Sequence, residues 1–194
     1  MLSSMFEEAL RERCRLFELD IRTHDMPWPD EPMEHGYAVQ GMDGLKEYMG
    51  TADQVVELTG DAEILVTQLS PLSASIMDRL PKLKFVAVSR GGPVNIDMKA
   101  ARERGITVVN TPGRNASAVA EFTVASILAE TRNLLRGHLS VASGEFRRDF
   151  YHFDHAGPEL CELSVGIVGY GDIGTRVARL LRPFGCAIRV YDPF

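Results

Sequence analysis

Val165-Gly166-Ile167-Val168-Gly169-Tyr170-Gly171-Asp172-Ile173-Gly174 decides the reading of this chain. Residues 165–168 form a short apolar run of the kind that makes a buried parallel strand. Val177, Leu180 and Leu181 then recur at helical spacing until Pro183 and Gly185 end the pattern. A second strand-like run, residues 187–191, follows and ends in Asp192. Strand, glycine turn, helix, strand and acid in this order are the setting in which G-x-G-x-x-G binds a dinucleotide. Gly169 permits the tight turn, Gly171 lets the backbone approach a pyrophosphate, and Gly174 lets the helix pack closely on the strand. Tyr170, Asp172 and Ile173 complete the candidate loop, whose helix N-terminus offers N–H groups and a positive dipole end to phosphates. Asp192 stands 18 residues after Gly174. A carboxylate there accepts hydrogen bonds from ribose hydroxyls and repels a 2′-phosphate, which favours NAD over NADP.

Upstream, short apolar runs alternate with helical patterns. Residues 2–16 and 45–58 carry helical spacing, the second broken, and residues 16–21 suit a short strand. Residues 24–36 hold three prolines and read as loop. Residues 64–67, 85–88 and 106–109 are strand runs, separated by helical patterns over 73–80 and 96–104, with Gly105 placed to end the latter. Such alternation predicts parallel β-α-β units and an α/β fold. After residues 110–114, Asn115 or Ser117 can cap a long helix reaching about residue 136. Its first half is apolar nearly all round, which predicts burial on every side. Residues 140–160 are polar, aromatic and turn-rich and read as a long arm. His152 and His155 suggest a metal pair by spacing, but no third ligand is near, so they read as part of the arm and no metal is expected.

Composition narrows the function. The chain has 194 residues, 45% of them hydrophobic and 25% charged, and a net charge of -6. It is long enough for two small domains and too acidic for a default nucleic-acid binder. The three cysteines are widely spaced with no Cys-x-x-Cys, which fits a reducing, cytoplasmic setting. The first residues carry no signal-peptide pattern, and the longest mostly apolar stretch, 116–129, contains Glu121 and is too short to span a bilayer. No membrane role is expected.

Several stretches together resemble the D-isomer-specific 2-hydroxyacid dehydrogenase family, which includes D-3-phosphoglycerate dehydrogenases. They are residues 166–174 followed by Tyr191-Asp192-Pro193, then Val88-Ser89-Arg90-Gly91-Gly92-Pro93-Val94-Asn95-Ile96-Asp97, Gly105 through Gly113, and Ala118-Val119-Ala120-Glu121-Phe122-Thr123. The resemblance covers about residues 45–194. It implies a flavodoxin-like substrate domain over residues 1–114 and the first part of a Rossmann NAD domain, a doubly wound parallel sheet, over 115–194. It implies NAD as cofactor, a small 2-hydroxy or 2-oxo acid as substrate, and pairing of two copies through the region of residues 117–159. By the same resemblance Arg90, Gly91 and Gly92 lie where the substrate carboxylate is held, and Thr123 lines the nicotinamide side. Consecutive N–H groups beside glycine make an anion nest, although Pro93 has no N–H to add. Arg90 as a solvated strand-end charge, and Thr123 as a core residue bonded to its own preceding turn, stay open. The family's catalytic Arg, Glu and His match no position of this sequence. The 194 residues therefore read as a portion of a longer enzyme, inactive alone. An NAD-sensing module of the corepressor type, built on the same fold, also stays open.

Overall fold

The computed structural model describes residues 3–26, 41–42 and 44–194. Of the proline-rich stretch read as loop, residues 24–26 have no regular structure and the remainder lies outside the described residues. The chain divides into two compact units, Met1–Thr111 and Pro112–Phe194.

In the first unit the order is α1 (Ser3–Arg13), α2 (Ala52–Thr59), β1 (Ile64–Thr67), α3 (Ala74–Asp78), β2 (Phe85–Val88), α4 (Met98–Glu103) and β3 (Thr107–Asn110). The helices start where capping side chains stop the extended chain. Thr51 and Gln54 cap one another at α2, the Ser73 hydroxyl accepts from the Ile76 N–H, and the Asp97 carboxylate accepts from the Ala100 N–H at 2.9 Å. The strands form a parallel sheet in the order β1-β2-β3, with Thr67 opposite Val88 and Val88 opposite Asn110. Leu72, Ile76, Val86, Val88, Ile96 and Ala101, all nearly inaccessible, fill the core. At roughly 1.5–3 kcal/mol per fully buried aliphatic side chain, this cluster is the main force holding the sheet together. Because the strands are parallel, their carboxyl ends gather residues 68–70, 89–92 and 110–111 along one edge, the place where open α/β sheets bind ligands.

In the second unit α5 (Ala116–Thr131) and α6 (Leu134–Ala142) precede β4 (Ser164–Val168), α7 (Asp172–Leu181) and β5 (Ala187–Tyr191). β4 and β5 pair in parallel from Ser164–Ala187 to Val168–Tyr191, with α7 as their crossover. α5 packs against α7, and Ala120, Val124, Leu160, Ile167, Val177 and Leu181 form the core between them.

Four expectations are corrected. Residues 16–21 form no strand; Leu16 and Phe17 are exposed and, among the described residues, no ladder partner accepts the backbone there. Residues 45–50 are irregular, bending at 47 and 50, and only Ala52–Thr59 of that stretch is helical. The long helix breaks after Thr131, because the chain returning at Gly157 occupies that position. A Cβ on Gly157 would stand 2.2 Å from the Thr131 carbonyl oxygen, Asn133 turns left-handed at φ 54°, and its side chain donates to the His155 carbonyl at 2.7 Å. Helix α6 consequently claims the start of what reads as an arm. Finally, α5 is not buried on every side within its unit: Ala116, Ala120 and Val124 make one buried stripe, while Phe122 is 74% exposed.

Candidate functional site

The glycine turn between β4 and α7 is built as the spacing requires. Gly169 sits at φ 89°, where a side chain would be strained, and its N–H donates to the Tyr191 carbonyl at 2.8 Å, tying the turn to the end of β5. Gly174 lies so close to the turn that a Cβ would come within 2.2 Å of the Gly169 carbonyl oxygen. Gly171 is the N-cap of α7, supplies no side chain to the first-turn N–H groups, and leaves the space where a Cβ would stand open. The Thr175 hydroxyl turns back to the Gly171 carbonyl at 2.7 Å and the Tyr170 carbonyl at 3.0 Å, so the turn's oxygens are held from behind. Nothing in the spacing marks Thr175; only the observation that Thr back-bonds four residues upstream in a helix hints at it.

Charge around the turn is arranged in two places. Asp192, at the end of β5, accepts from the Tyr170 N–H at 2.5 Å and from the Phe194 N–H at 3.0 Å. A carboxylate has about four acceptor sites, so capacity for ribose hydroxyls is left. Asp172 opens α7, pairs with Arg176 at 2.9 Å one turn on, and packs against Gly113, where a Cβ would stand 2.5 Å from the Asp172 Oδ2. Arg176 balances a negative charge that would otherwise face an incoming phosphate. The open Gly171, the uncapped first turn and the placed Asp192 fit the pyrophosphate and ribose of a dinucleotide. Tyr170 and Ile173 stand on either side, each near 40% exposed. Thr123 lies on α5 and donates its hydroxyl to the Val119 carbonyl at 2.8 Å.

The second cluster, in the first unit, is the turn that follows β2. Arg90 points away from open solvent: its side chain is 14% exposed, its Nη1 donates to the Glu47 carbonyl at 2.7 Å, and its Nη2 pairs with the Glu47 carboxylate. Gly91 and Gly92 are exposed, and a Cβ on either would meet nothing within 4 Å. Among the described residues their N–H groups have no hydrogen-bond partner. Next to this turn, Thr67, Ser70 and the fully buried Asn95 fix the end of β1, with Asn95 Nδ2 donating to the Ser70 carbonyl at 2.8 Å. Glu47 could not be foreseen, since 43 residues separate it from Arg90.

His152 and His155 lie on the polar arm, where they face Asp154 and Asp149 at 3.5 and 3.6 Å. The Arg147 guanidinium beside Asp149 holds that carboxyl below the usual carboxylate range. Among the described residues no group of three His, Cys, Asp or Glu side chains could hold a metal. No described helix is long and apolar enough to cross a membrane.

Against known proteins, residues 32–179 match the model of the D-isomer specific 2-hydroxyacid dehydrogenase catalytic domain. YoaD of Bacillus subtilis (strain 168), which carries the name of a 2-hydroxyacid dehydrogenase, is 38% identical over 146 residues, covering 73% of this chain and 42% of YoaD. D-3-phosphoglycerate dehydrogenase of Methanocaldococcus jannaschii is 34% identical over 145 residues, covering 74% of this chain and 27% of that one. Among solved structures, NAD-dependent formate dehydrogenase from Staphylococcus aureus in complex with NAD is similar with a TM-score of 0.65 at 28% identity, over 73% of this chain and 43% of that one. The chain thus spans less than half the length of each of these relatives.

Proposed function

Because the chain belongs to the D-isomer specific 2-hydroxyacid dehydrogenase family, we propose that it carries the cofactor loop and the carboxylate turn of an NAD-dependent oxidoreductase acting on a D-2-hydroxy acid or its 2-oxo form. The observation that carries this reading is the glycine turn, with Gly174 seated against the Gly169 carbonyl and Asp192 bonded to the Tyr170 N–H. Residues 169–174 would hold the pyrophosphate on backbone N–H groups, and Asp192 would accept the ribose hydroxyls and turn away a 2′-phosphate. NAD, when bound, supplies the hydride acceptor. The Gly91 and Gly92 N–H groups would hold the substrate carboxylate, and Thr123 would stand on the nicotinamide side. We assign residues 1–114 as the substrate domain and 115–194 as the first part of the NAD domain.

The described histidines are all exposed, and two of them pair with arm carboxylates. We place the catalytic Arg, Glu and His in the part of the enzyme that these residues do not cover, and expect residues 1–194 alone to be inactive. The three free cysteines suit a reducing, cytoplasmic setting.

We further propose a homodimer through residues 117–159. Phe122, Phe146, Tyr151 and Phe153 are between 68% and 93% exposed, and Leu134, Leu135 and Leu139 lie near 60%. Aromatics interleaved with arginine are the mixture that interfaces favour, and a two-fold pair would cover each copy's patch with the other's.

Titrating the full-length protein with NAD and NADP by calorimetry, then following NADH oxidation with glyoxylate, hydroxypyruvate and pyruvate, tests the proposed activity. Preference for NAD and turnover of at least one 2-oxo acid are expected. Tighter binding of NADP, or no turnover of any D-2-hydroxy or 2-oxo acid, would overturn it.

A further inference from the structure

We propose that Glu47, Arg90 and Asn110 are positioning residues that hold the turn 90–92 from behind and leave only its N–H groups facing an anion. This rests on the reading of that turn as the carboxylate site and names what builds it. All three carbonyls of the turn are consumed by the chain itself. The Arg90 oxygen accepts from the Thr111 N–H at 2.8 Å, the Gly91 oxygen from Asn110 Nδ2 at 2.7 Å, and the Gly92 oxygen from the Val94 N–H at 2.9 Å. The Arg90 N–H is also used, donating to the Val88 carbonyl at 2.9 Å. What is left unmatched among the described residues is two consecutive N–H groups, on Gly91 and Gly92, both exposed residues at which even an added Cβ would meet nothing within 4 Å. A peptide turn with every oxygen held behind and two hydrogens in front presents a positive face to a carboxylate, as an anion nest does.

The Arg90 side chain belongs to the frame of this site. Both guanidinium ends are committed to residue 47, one to its carbonyl and one to its carboxylate, in a setting that leaves Arg90 only 14% exposed. Glu47 pays for this with a left-handed backbone, φ 52°, unusual for a residue other than glycine. The same segment is fastened once more, by the Lys46 N–H donating to the Val94 carbonyl at 2.9 Å. Segment 46–47 therefore braces one flank of the turn and Asn110 with Thr111 braces the other. The positive charge of Arg90 is balanced by Glu47, so at this turn the anion is met by peptide dipoles rather than by the Arg90 charge.

Full-length protein labelled with 15N-glycine tests this without relying on turnover, with oxalate as the probe. Oxalate should shift the Gly91 and Gly92 amide signals in the parent protein. In Glu47→Gln and Asn110→Ala the oxalate affinity should fall by about tenfold or more, because small misplacements of a preorganised site weaken it steeply, while NAD affinity stays unchanged. The KM for glyoxylate should rise in step, with kcat within about twofold. If Glu47→Gln does not fold, Asn110→Ala carries the test alone, since that side chain is exposed and, among the described residues, bonds only the turn. Unshifted Gly91 and Gly92 signals, or equal oxalate affinity in the variants, would overturn the proposal. Turnover without any oxalate effect would do so while leaving the dehydrogenase reading intact, and oxalate binding without turnover would do the reverse.

Discussion

Gly171 and Gly174 belong to the same glycine turn and would be expected to behave alike, yet the geometry separates them. A Cβ at Gly174 lands 2.2 Å from the Gly169 carbonyl oxygen, which is backbone and cannot rotate aside. Carbon and carbonyl oxygen need about 3.3 Å, so α7 must lift from the turn by roughly 1 Å. Overpacking of this kind costs about 1–3 kcal/mol, and the better helix propensity of alanine recovers up to about 1 kcal/mol. Gly174→Ala should therefore destabilise by about 1–2 kcal/mol, or roughly 4–16 °C in Tm for a unit of this size. Gly171→Ala meets nothing within 4 Å and has an ordinary φ of -71°. Its loss of stability should stay within about 1 kcal/mol, but its methyl group occupies the approach to the backbone, and NAD affinity should drop by about tenfold or more. Differential scanning fluorimetry and calorimetric NAD titration of both variants decide the matter. An unchanged Tm in Gly174→Ala, or wild-type NAD affinity in Gly171→Ala, would refute the close-packing and close-approach roles respectively.

Asp192→Ala should weaken NAD binding and narrow the gap to NADP, measured by paired titrations; an unaltered ratio would remove Asp192 from the ribose site. Asn95→Ala removes a fully buried side chain and strips the half-buried Ser70 carbonyl of its donor, and should lower stability by about 1–3 kcal/mol, read from the urea midpoint. Hydrogen bonds from Arg22 and Lys82 hold the Asp61 carboxyl below the usual carboxylate range, so its contribution is present above that range and lost as pH falls through the lowered value. Asp61→Asn should then flatten the acid limb of the stability curve below about pH 4 and leave the slope between pH 6 and 8 unchanged. Tyr151→Ser with Phe153→Ser should shift the full-length protein from dimer to monomer in sedimentation at micromolar concentration, and a parent protein that is already monomeric would sink the dimer.

The order strand, glycine turn, helix, strand, acid was legible in the sequence because each step is a local choice. Glycine at 169 is dictated by one backbone angle, the strands 164–168 and 187–191 by the apolar face on which Val165, Ile167 and Ile188 meet the core, and the starts of α2, α3 and α4 by caps within three residues. Family resemblance rested on the same local stretches. Tertiary structure alone decided whatever depends on partners far apart in the chain. Residues 16–21 have strand-like composition but no neighbouring edge among the described residues, and a strand is defined by its neighbour. The long helix was cut at Thr131 because Gly157, 26 residues on, brings the backbone against its end. Arg90 looked like a free cation beside a glycine turn and is instead spoken for by Glu47, a residue with no sequence signal of its own. Spacing fixes which backbone groups can form a turn, but only packing determines which of its hydrogen bonds are already used and which remain for a ligand.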